Sequence, residues 1–289
     1  MKRILIAALL TLVPFGASLA QQVAAPPASA PNYSIDAIRY AKVLHFPLGS
    51  LVMGAPKDEP IDIAMIFWLI RGGGRTILFD CGTHRGKWFN QFTLTDYISP
   101  AEAVRLAGID AADVTDVIVS HAHWDHMGGI DLFPKATIWI QRAEYEYYAG
   151  RAWQPGGHNG GIEADDILEL VQRNIRGQVR LIDGDDVEII PGIRVFTGPR
   201  HTFASEYIRV AGDLPFVLAS DNVYLYENLR SNRASGTFDA SDAPANIAAH
   251  ARMIALAGSV DRVVPGHDPE QFKRFPSSGR IAHIRQLPE

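Results

Sequence analysis

The stretch that decides the fold is His121-Ala-His-Trp-Asp-His126, in which four of six residues are potential metal ligands. Imidazole nitrogens and carboxylate oxygens are common donors to divalent cations. The motif directly follows a short run of β-branched residues, which predicts that it occupies the loop leaving a buried strand. His121 and His123 would point the same way if the strand continued, whereas Asp125 and His126 lie on the turn beyond and can face a second point. The pattern therefore predicts two metal ions rather than one.

Three further candidate ligands lie downstream, and they are needed because four ligands do not fill two metal sites. His201, Asp221 and His267 each stand where a predicted strand meets a loop, which is where α/β scaffolds place their sites. Taken singly, a histidine at a strand end is more often a hydrogen-bonded structural residue. Their shared position after strands favours a joint role as metal ligands.

Short strands and helices alternate along the rest of the chain. Strands are predicted where β-branched or aromatic residues are bounded by glycine or proline, and helices where a cap or an apolar period begins and a glycine ends the run. The predicted strands are Ala37 to His45, Ile63 to Ile70, Thr76 to Asp80, Val117 to Ser120, Ala136 to Gln141, Val187 to Ile190, Ile193 to Thr197, Tyr207 to Val210, Phe216 to Ser220 and, as the last one, Arg262 to Val264. Four helices are predicted. One begins at Pro100 and one directly after Gln141, and the other two cover Asp165 to Arg176 and Pro244 to Leu256. This order predicts an α/β fold with two sheet layers covered by helices.

The first twenty residues have the features of an export signal. A basic start precedes an apolar run from Ile4 to Val13, which is too short for a stable membrane anchor, and the small residues of Ala17 to Ala20 suit a signal peptidase. We expect cleavage after Ala20, a flexible leader over residues 21–32 and one folded domain over residues 33–289. The expected location is periplasmic or secreted, without stable membrane association after cleavage. An uncleaved anchor is the alternative.

Composition and charge exclude several other classes of protein. The chain has 289 residues, enough for one domain with a sizeable core, and 47% of them are hydrophobic against 20% charged, which excludes a largely disordered chain. A net charge of -5 argues against a nucleic-acid-binding protein. The single cysteine, Cys81, excludes an intramolecular disulfide and a cysteine-rich zinc site. Any metal ligands must therefore be histidines and carboxylates.

The sequence resembles the metallo-β-lactamase superfamily, in which His-x-His-x-Asp-His is followed by distant histidine, aspartate and histidine ligands. Within that superfamily it is most similar to the N-acyl homoserine lactone lactonases, from about Tyr40 to Pro276. The resemblance is carried by Leu78-Phe-Asp-Cys-Gly82, Ser120-His-Ala-His-Trp-Asp-His-Met-Gly-Gly129, Gln141-Arg-Ala-Glu-Tyr145, Asp221-Asn-Val-Tyr224 and Gly266-His-Asp-Pro-Glu-Gln271. It implies an αββα sandwich of two mixed β-sheets flanked by helices.

The resemblance also implies a ligand set and a mechanism. His121, His123 and His201 would hold one metal ion, Asp125, His126 and His267 would hold the other, and Asp221 would bridge both together with a water or hydroxide. The implied cofactors are two divalent metal ions, with zinc expected. A hydroxide held between two cations is a ready nucleophile at neutral pH. Asp125 would also accept and relay a proton, and Tyr224 would hydrogen-bond the carbonyl of the substrate.

Several other residues have interpretations that the sequence leaves open. Tyr224 is alternatively an aromatic side chain packed near the site. The apolar segments Phe46 to Met53 and Lys87 to Phe92 either grip an acyl chain or are packed loops. Asp80 is expected to accept a hydrogen bond from a ligand histidine. The family usually has Gly-His-Thr-x-Gly around the third histidine, but this chain has Pro199-Arg-His-Thr-Phe-Ala-Ser205, so that its loop cannot use the same glycine-dependent backbone angles.

The leading functional hypothesis is that the protein opens the lactone ring of N-acyl homoserine lactones, and so quenches quorum sensing. Its partner would be a small lactone with an apolar acyl chain. A β-lactamase is the first alternative, although the β-lactamases of this superfamily lack a bridging aspartate. A thioester hydrolase of the glyoxalase II type does use such an aspartate, but a basic C-terminal domain for a glutathione carboxylate is not apparent. We expect no nucleic-acid partner, and a homodimer is left open.

Overall fold

The computed structural model describes residues 31–287, which form two β-sheets with helices on their outer faces. The predicted export signal and most of the predicted leader lie outside the described residues. The strands of the described part are β1 Ser34–Pro47, β2 Pro60–Gly72, β3 Arg75–Phe79, β4 Leu94–Thr95, β5 Asp116–Ile118, β6 Thr137–Gln141, β7 Val179–Ile182, β8 Val187–Ile190, β9 Ile193–Thr197, β10 Glu206–Val210, β11 Phe216–Ser220, β12 Val263–Pro265, β13 Ser277–Ser278 and β14 Ile281–Arg285. The α-helices there are α1 Gly86–Gln91, α2 Pro100–Leu106, α3 Trp124–Met127, α4 Arg142–Tyr148, α5 Ala164–Ile175, α6 Tyr226–Ser231, α7 Ala243–Ala257 and α8 Gln271–Arg274.

Both sheets are mixed, as expected. The first has the strand order β13-β14-β1-β2-β3-β5-β6-β7, with β4 paired to β1, and the second has the order β12-β11-β10-β9-β8. The pairs from β3 through β7 are parallel, and so is the pair of β11 and β12. The remaining pairs are antiparallel. Parallel strands end at the same edge of a sheet, so the loops that follow them lie side by side.

Alternating side chains on the strands build three apolar cores. Ile66 and Trp68 of β2 pack between the two sheets with residues such as Ile208 of β10. Because successive side chains of a strand point to opposite faces, Phe67 of β2 instead contributes to the core under the first layer of helices. A third core joins the outer face of the second sheet to Met253 of α7. The layers are therefore helix, sheet, sheet and helix, which confirms the predicted αββα sandwich.

Local signals placed several element ends correctly. The Ser99 side chain accepts the N–H of Glu102 at 3.2 Å and so caps α2. Gly258 ends α7 with a φ of 70°, a left-handed conformation that glycine adopts without strain. The strand predicted at Arg262 to Val264 is present as β12, but the prediction that it is the last strand was wrong, because β14 follows it and pairs with β1. The partner of β14 lies almost the whole length of the chain away in sequence, so no local pattern predicts this pairing. Among residues 31–287, none of the helices has the length and apolar character needed to cross a bilayer.

Candidate metal centre

All seven predicted metal ligands come together at one edge of the two sheets. Each of them lies at or just beyond the carboxyl end of a strand, or on the short helix α3 that follows β5. They form two groups of potential ligands, His121, His123, His201 and Asp221 in the first cluster and Asp125, His126 and His267 in the second cluster. The donor atoms within each cluster lie within 4.8 Å of one another.

The first cluster consists mainly of converging imidazole nitrogens. Nδ1 of His123 lies 3.0 Å from Nε2 of His121 and 3.0 Å from Nε2 of His201. Burial lowers the pKa of His121 well below its ordinary value and the pKa of His123 to about 3. Both rings are therefore neutral at physiological pH and offer lone pairs, the form in which histidine binds metal ions. Three nitrogens with one carboxylate oxygen suit a four-coordinate divalent cation.

The second cluster contains buried polar atoms without a hydrogen-bond partner. Oδ1 of Asp221 lies 3.2 Å from Nε2 of His126 and 3.0 Å from Nε2 of His267. Nevertheless Asp221 Oδ1 and His126 Nε2 are buried and make no hydrogen bond of acceptable geometry. Buried polar atoms in native proteins almost always have a partner. A cation held among these atoms would satisfy both of them, so the donor set fits a metal ion.

Asp221 presents one carboxylate oxygen to each cluster. Its Oδ1 faces the second cluster, while its Oδ2 lies 3.2 Å from Nε2 of His201 in the first. Burial raises the pKa of Asp221, but His126 and His267 outweigh burial and hold it well below its ordinary value. Asp221 is therefore ionised and lies where a ligand shared by two cations has to lie.

Asp80 orients part of the second cluster through a network of hydrogen bonds. Its carboxylate accepts hydrogen bonds from Ser120 N–H at 2.8 Å, from the hydroxyls of Ser120 and Ser220 at 2.9 Å each, and from Nδ1 of His126 at 2.8 Å. The last of these is the hydrogen bond that was expected between Asp80 and a candidate ligand histidine. The contact with Asp80 orients the ring of His126 so that its Nε2 faces the cluster.

Two non-glycine residues beneath the site adopt left-handed backbone angles. Asp80 has a φ of 60° and Ser220 a φ of 47°, and their side chains are hydrogen-bonded to each other. Such angles are uncommon for residues with a side chain and cluster at functional sites. Nδ1 of His267 is fixed in a comparable way by the carbonyl of Ala64 at 3.0 Å. Backbone and side chains together therefore hold these ligand atoms in place.

The loop that carries His201 forms without any residue in a left-handed backbone conformation of the kind that favours glycine. None of residues 199–205 has a positive φ, as the missing glycines predicted. Instead Gly198 N–H donates to the carbonyl of Ser205 at 2.8 Å, and the Ser205 hydroxyl donates to the carbonyl of Pro199 at 2.8 Å. These bonds close the loop across its base, with His201 near its tip.

A cavity of about 290 Å³ opens directly onto both clusters. Its lining includes metal-ligand candidates and Tyr224 together with a group of apolar side chains. The apolar group contains Val43, Phe46, Leu51, Ile63, Met65, Phe92 and Trp124. Of the two apolar loop segments, Phe46, Leu51 and Phe92 line the cavity, whereas Trp88 packs away from it and stacks on Trp124 with ring centroids 5.3 Å apart. Sequence reasoning missed the contribution of Ile63 and Met65, since it did not assign the faces of β2.

Tyr224 lies in the cavity wall between two ligand histidines. Its ring centroid is 5.8 Å from that of His201 and 5.7 Å from that of His267. Burial, followed by the charge of Asp221, raises the pKa of Tyr224 well above its ordinary value, and Thr237 lies beside its hydroxyl. The phenol therefore stays protonated and can donate a hydrogen bond to a molecule in the cavity.

Comparison with known proteins assigns the family. The sequence model of the metallo-beta-lactamase superfamily matches residues 67–267, which include all seven candidate ligands. This chain belongs to that superfamily. Among curated proteins, it is 32% identical over 177 residues to the N-acyl homoserine lactonase AttM of Azorhizobium caulinodans, a match that covers 60% of this chain and 65% of that relative. It is 27% identical over 228 residues to the N-acyl homoserine lactonase AiiB of Agrobacterium fabrum, covering 73% of this chain and 82% of that relative.

Solved structures of the superfamily share the same fold. A quorum-quenching N-acyl homoserine lactone lactonase superimposes with a TM-score of 0.68 at 21% identity, covering 84% of this chain and 95% of the other. AidC, described as a dizinc quorum-quenching lactonase, superimposes with a TM-score of 0.61 at 16% identity, covering 90% of this chain and 97% of the other. At these identities the likeness supports the fold alone. The chain spans only 65% of the length of AttM, so that match places it in the superfamily without fixing which reaction this member catalyses.

Proposed function

We propose that the protein is a dinuclear metallohydrolase that opens the lactone ring of N-acyl homoserine lactones. The observation that carries this proposal is the position of Asp221, which offers one oxygen to each of two ligand clusters beside an apolar cavity. A lactone with an acyl chain has a polar ring and an apolar tail. Such a molecule matches a cavity lined both by candidate metal ligands and by aliphatic and aromatic side chains.

His121, His123, His201 and Asp221 would hold one cation, and Asp125, His126, His267 and Asp221 would hold the other. Two cations held there, which we propose to be zinc, would lower the pKa of a water molecule in the site and would polarise a carbonyl group. The Asp125 carboxylate faces the cavity and lies 3.4 Å from Nε2 of His126. Burial raises the pKa of Asp125, but the neighbouring His126 outweighs burial and lowers it. Asp125 is therefore ionised and able to accept and pass on a proton.

The relatives support this choice of substrate over the alternatives. AttM and AiiB are both N-acyl homoserine lactonases, and one solved structure of the fold has N-hexanoyl-L-homoserine bound at its catalytic metal centre. The shared Asp221 disfavours a β-lactamase, because β-lactamases of this superfamily lack a bridging aspartate. A thioester hydrolase remains an alternative, because it would use the same ligands. The substrate that the protein hydrolyses distinguishes it from a lactonase.

The test is a hydrolysis panel on protein whose metal content has been measured. We expect about two ions per chain and the highest kcat/KM on an N-acyl homoserine lactone, above a simple lactone, a chromogenic cephalosporin and a glutathione thioester. Preference for the cephalosporin or the thioester would replace the lactonase proposal with the corresponding alternative. A protein that never holds more than one ion per chain after reloading would refute the dinuclear site.

Replacing Tyr224 with phenylalanine is expected to lower kcat on the best lactone about tenfold to a hundredfold. The hydroxyl would donate a hydrogen bond to the carbonyl oxygen as negative charge develops on it, and losing one donor of this kind costs about 10²–10³ in rate when it carries the charge alone. Bound cations share that charge, so we expect the smaller effect. Metal content and the thermal unfolding midpoint serve as controls and should not change. Wild-type turnover by the variant would mean that Tyr224 only packs against the histidines.

We further propose that the protein is exported and loses residues 1–20. The support is the sequence alone, namely the short apolar run after a basic start and the small residues up to Ala20. Mass spectrometry of protein expressed with its full N-terminus is expected to find a mature chain beginning at Gln21 in the periplasm or medium. Recovery of the full-length chain from the membrane would favour the uncleaved anchor.

A further inference from the structure

Glu144 links the two loops that carry the first cluster. It lies on α4 and is fully buried. Its Oε1 accepts the N–H of Ala122 at 2.9 Å, and its Oε2 accepts the N–H of Ala204 at 2.6 Å. Ala122 stands between His121 and His123, and Ala204 follows His201 by three residues. One carboxylate therefore joins the backbone of two segments that are far apart in sequence and whose histidines must meet.

We propose that Glu144 is a positioning residue that holds His201 within reach of His121 and His123. The distance that Glu144 would maintain is the 3.0 Å between Nε2 of His201 and Nδ1 of His123. A carboxylate suits this task because both of its oxygens accept hydrogen bonds, whereas an amide has only one acceptor and places an N–H₂ donor at the other position. A glutamine here would set a donor against one of the two backbone N–H groups.

The loop of His201 has particular need of such a brace. Its residues 199–205 contain no glycine and no left-handed backbone angle that would fix their path. Helix α4 contacts this loop at a second point, where the rings of Tyr147 and Phe203 stack with centroids 4.0 Å apart. The second cluster is held by other groups, since His126 is bound by Asp80 and His267 by the carbonyl of Ala64. Loss of the Glu144 carboxylate is therefore expected to weaken the first cluster selectively.

The experiment measures the affinity of each cluster separately with Co²⁺ as the probe. A His267→Ala background disables the second cluster and a His201→Ala background disables the first. In the His267→Ala background, Glu144→Gln is expected to weaken Co²⁺ binding tenfold to a hundredfold, the usual effect of losing a group that supports a metal ligand, and to change the d–d absorption of the bound ion. In the His201→Ala background, the same substitution is expected to leave both measurements unchanged.

The chain offers a matched control in Glu206, another fully buried glutamate, on β10. Neither oxygen of its carboxylate accepts a hydrogen bond from a backbone N–H, and the polar side chain beside it is that of Gln141. Glu206→Gln therefore makes the same chemical change without removing a brace, and Co²⁺ affinity should stay that of the parent in both backgrounds. If Glu206→Gln weakened Co²⁺ binding as much as Glu144→Gln does, any buried amide near the site would have this effect. That result would overturn the proposal.

Two other results would also overturn the assignment of Glu144. One is parental Co²⁺ affinity of Glu144→Gln in the His267→Ala background, and the other is equal weakening in both backgrounds, which would indicate a general role in folding. If Glu144→Gln does not fold, Glu144→Asp replaces it, because the shorter carboxylate cannot reach both N–H groups, and unchanged affinity in that variant counts against the proposal. The inference rests on the proposed metal sites. Failure of the parent to bind Co²⁺ in both backgrounds would refute those sites themselves.

Discussion

Replacing Asp221 with alanine is expected to remove both metal ions together and to lower lactone hydrolysis by at least about 10³-fold, or about 4 kcal/mol of transition-state stabilisation. One oxygen of Asp221 faces each cluster. Without it, each cluster loses a negatively charged donor, and Nε2 of His126 and Nε2 of His267 each lose the carboxylate nearest to them. Elemental analysis after reloading with zinc and a lactone hydrolysis assay would measure the two effects.

A suitable control for that variant is Asp58→Ala, which removes an exposed carboxylate far from any ligand in sequence. The control is expected to retain two ions per chain and full activity. Retention of both ions by Asp221→Ala would contradict the shared-ligand arrangement. Loss of one ion only would mean that Asp221 serves a single cation.

Replacing Asp80 with alanine is expected to lower the free energy of unfolding of the metal-free protein by about 3–5 kcal/mol, the usual result of deleting one member of a buried charged network. Four donors lose their acceptor at once, among them the Ser120 N–H and Nδ1 of His126. Buried donors without partners cost free energy in the folded state. Urea denaturation in the presence of a chelator measures this effect apart from metal binding.

Asp80→Asn provides the graded comparison. An asparagine side chain keeps one acceptor oxygen, so its effect on unfolding should be smaller than that of alanine. A change below about 1 kcal/mol for Asp80→Ala, the size expected of one ordinary hydrogen bond, would mean that the four hydrogen bonds to Asp80 are replaced by water without consequence.

The sequence predicts that the seven candidate ligands come together, because each of them lies on a segment that follows a strand. The carboxyl ends of neighbouring strands meet at one edge, so residues such as His121 and Asp221 are brought together by the order of elements alone. The layer order was predictable for a similar reason, since short strands and capped helices alternate along the chain. These features depend on local patterns that a single sequence contains.

Contacts between distant segments account for what the sequence did not reveal. Ile63 and Met65 line the cavity, whereas Ala64 and Ile66 of the same strand pack between the sheets. A continuous apolar run cannot show which residues face which side. The brace made by Glu144 is similar, because its partners at Ala122 and Ala204 are known only once the loops are in place.

The hydrogen bond between Asp80 and Ser220 spans 140 positions of the chain and joins the ends of one strand in each sheet. Asp125 and His267 of the second cluster, whose side chains lie 3.7 Å apart, are similarly remote in sequence. Contacts of such long range form late in folding, because a long loop must close before they can contribute free energy. His201, Asp221 and His267, which follow strands of the second sheet, therefore stay apart from the segment His121 to His126 until that sheet has formed. On the proposed ligand assignment, the two metal sites are completed only in the last stage of folding.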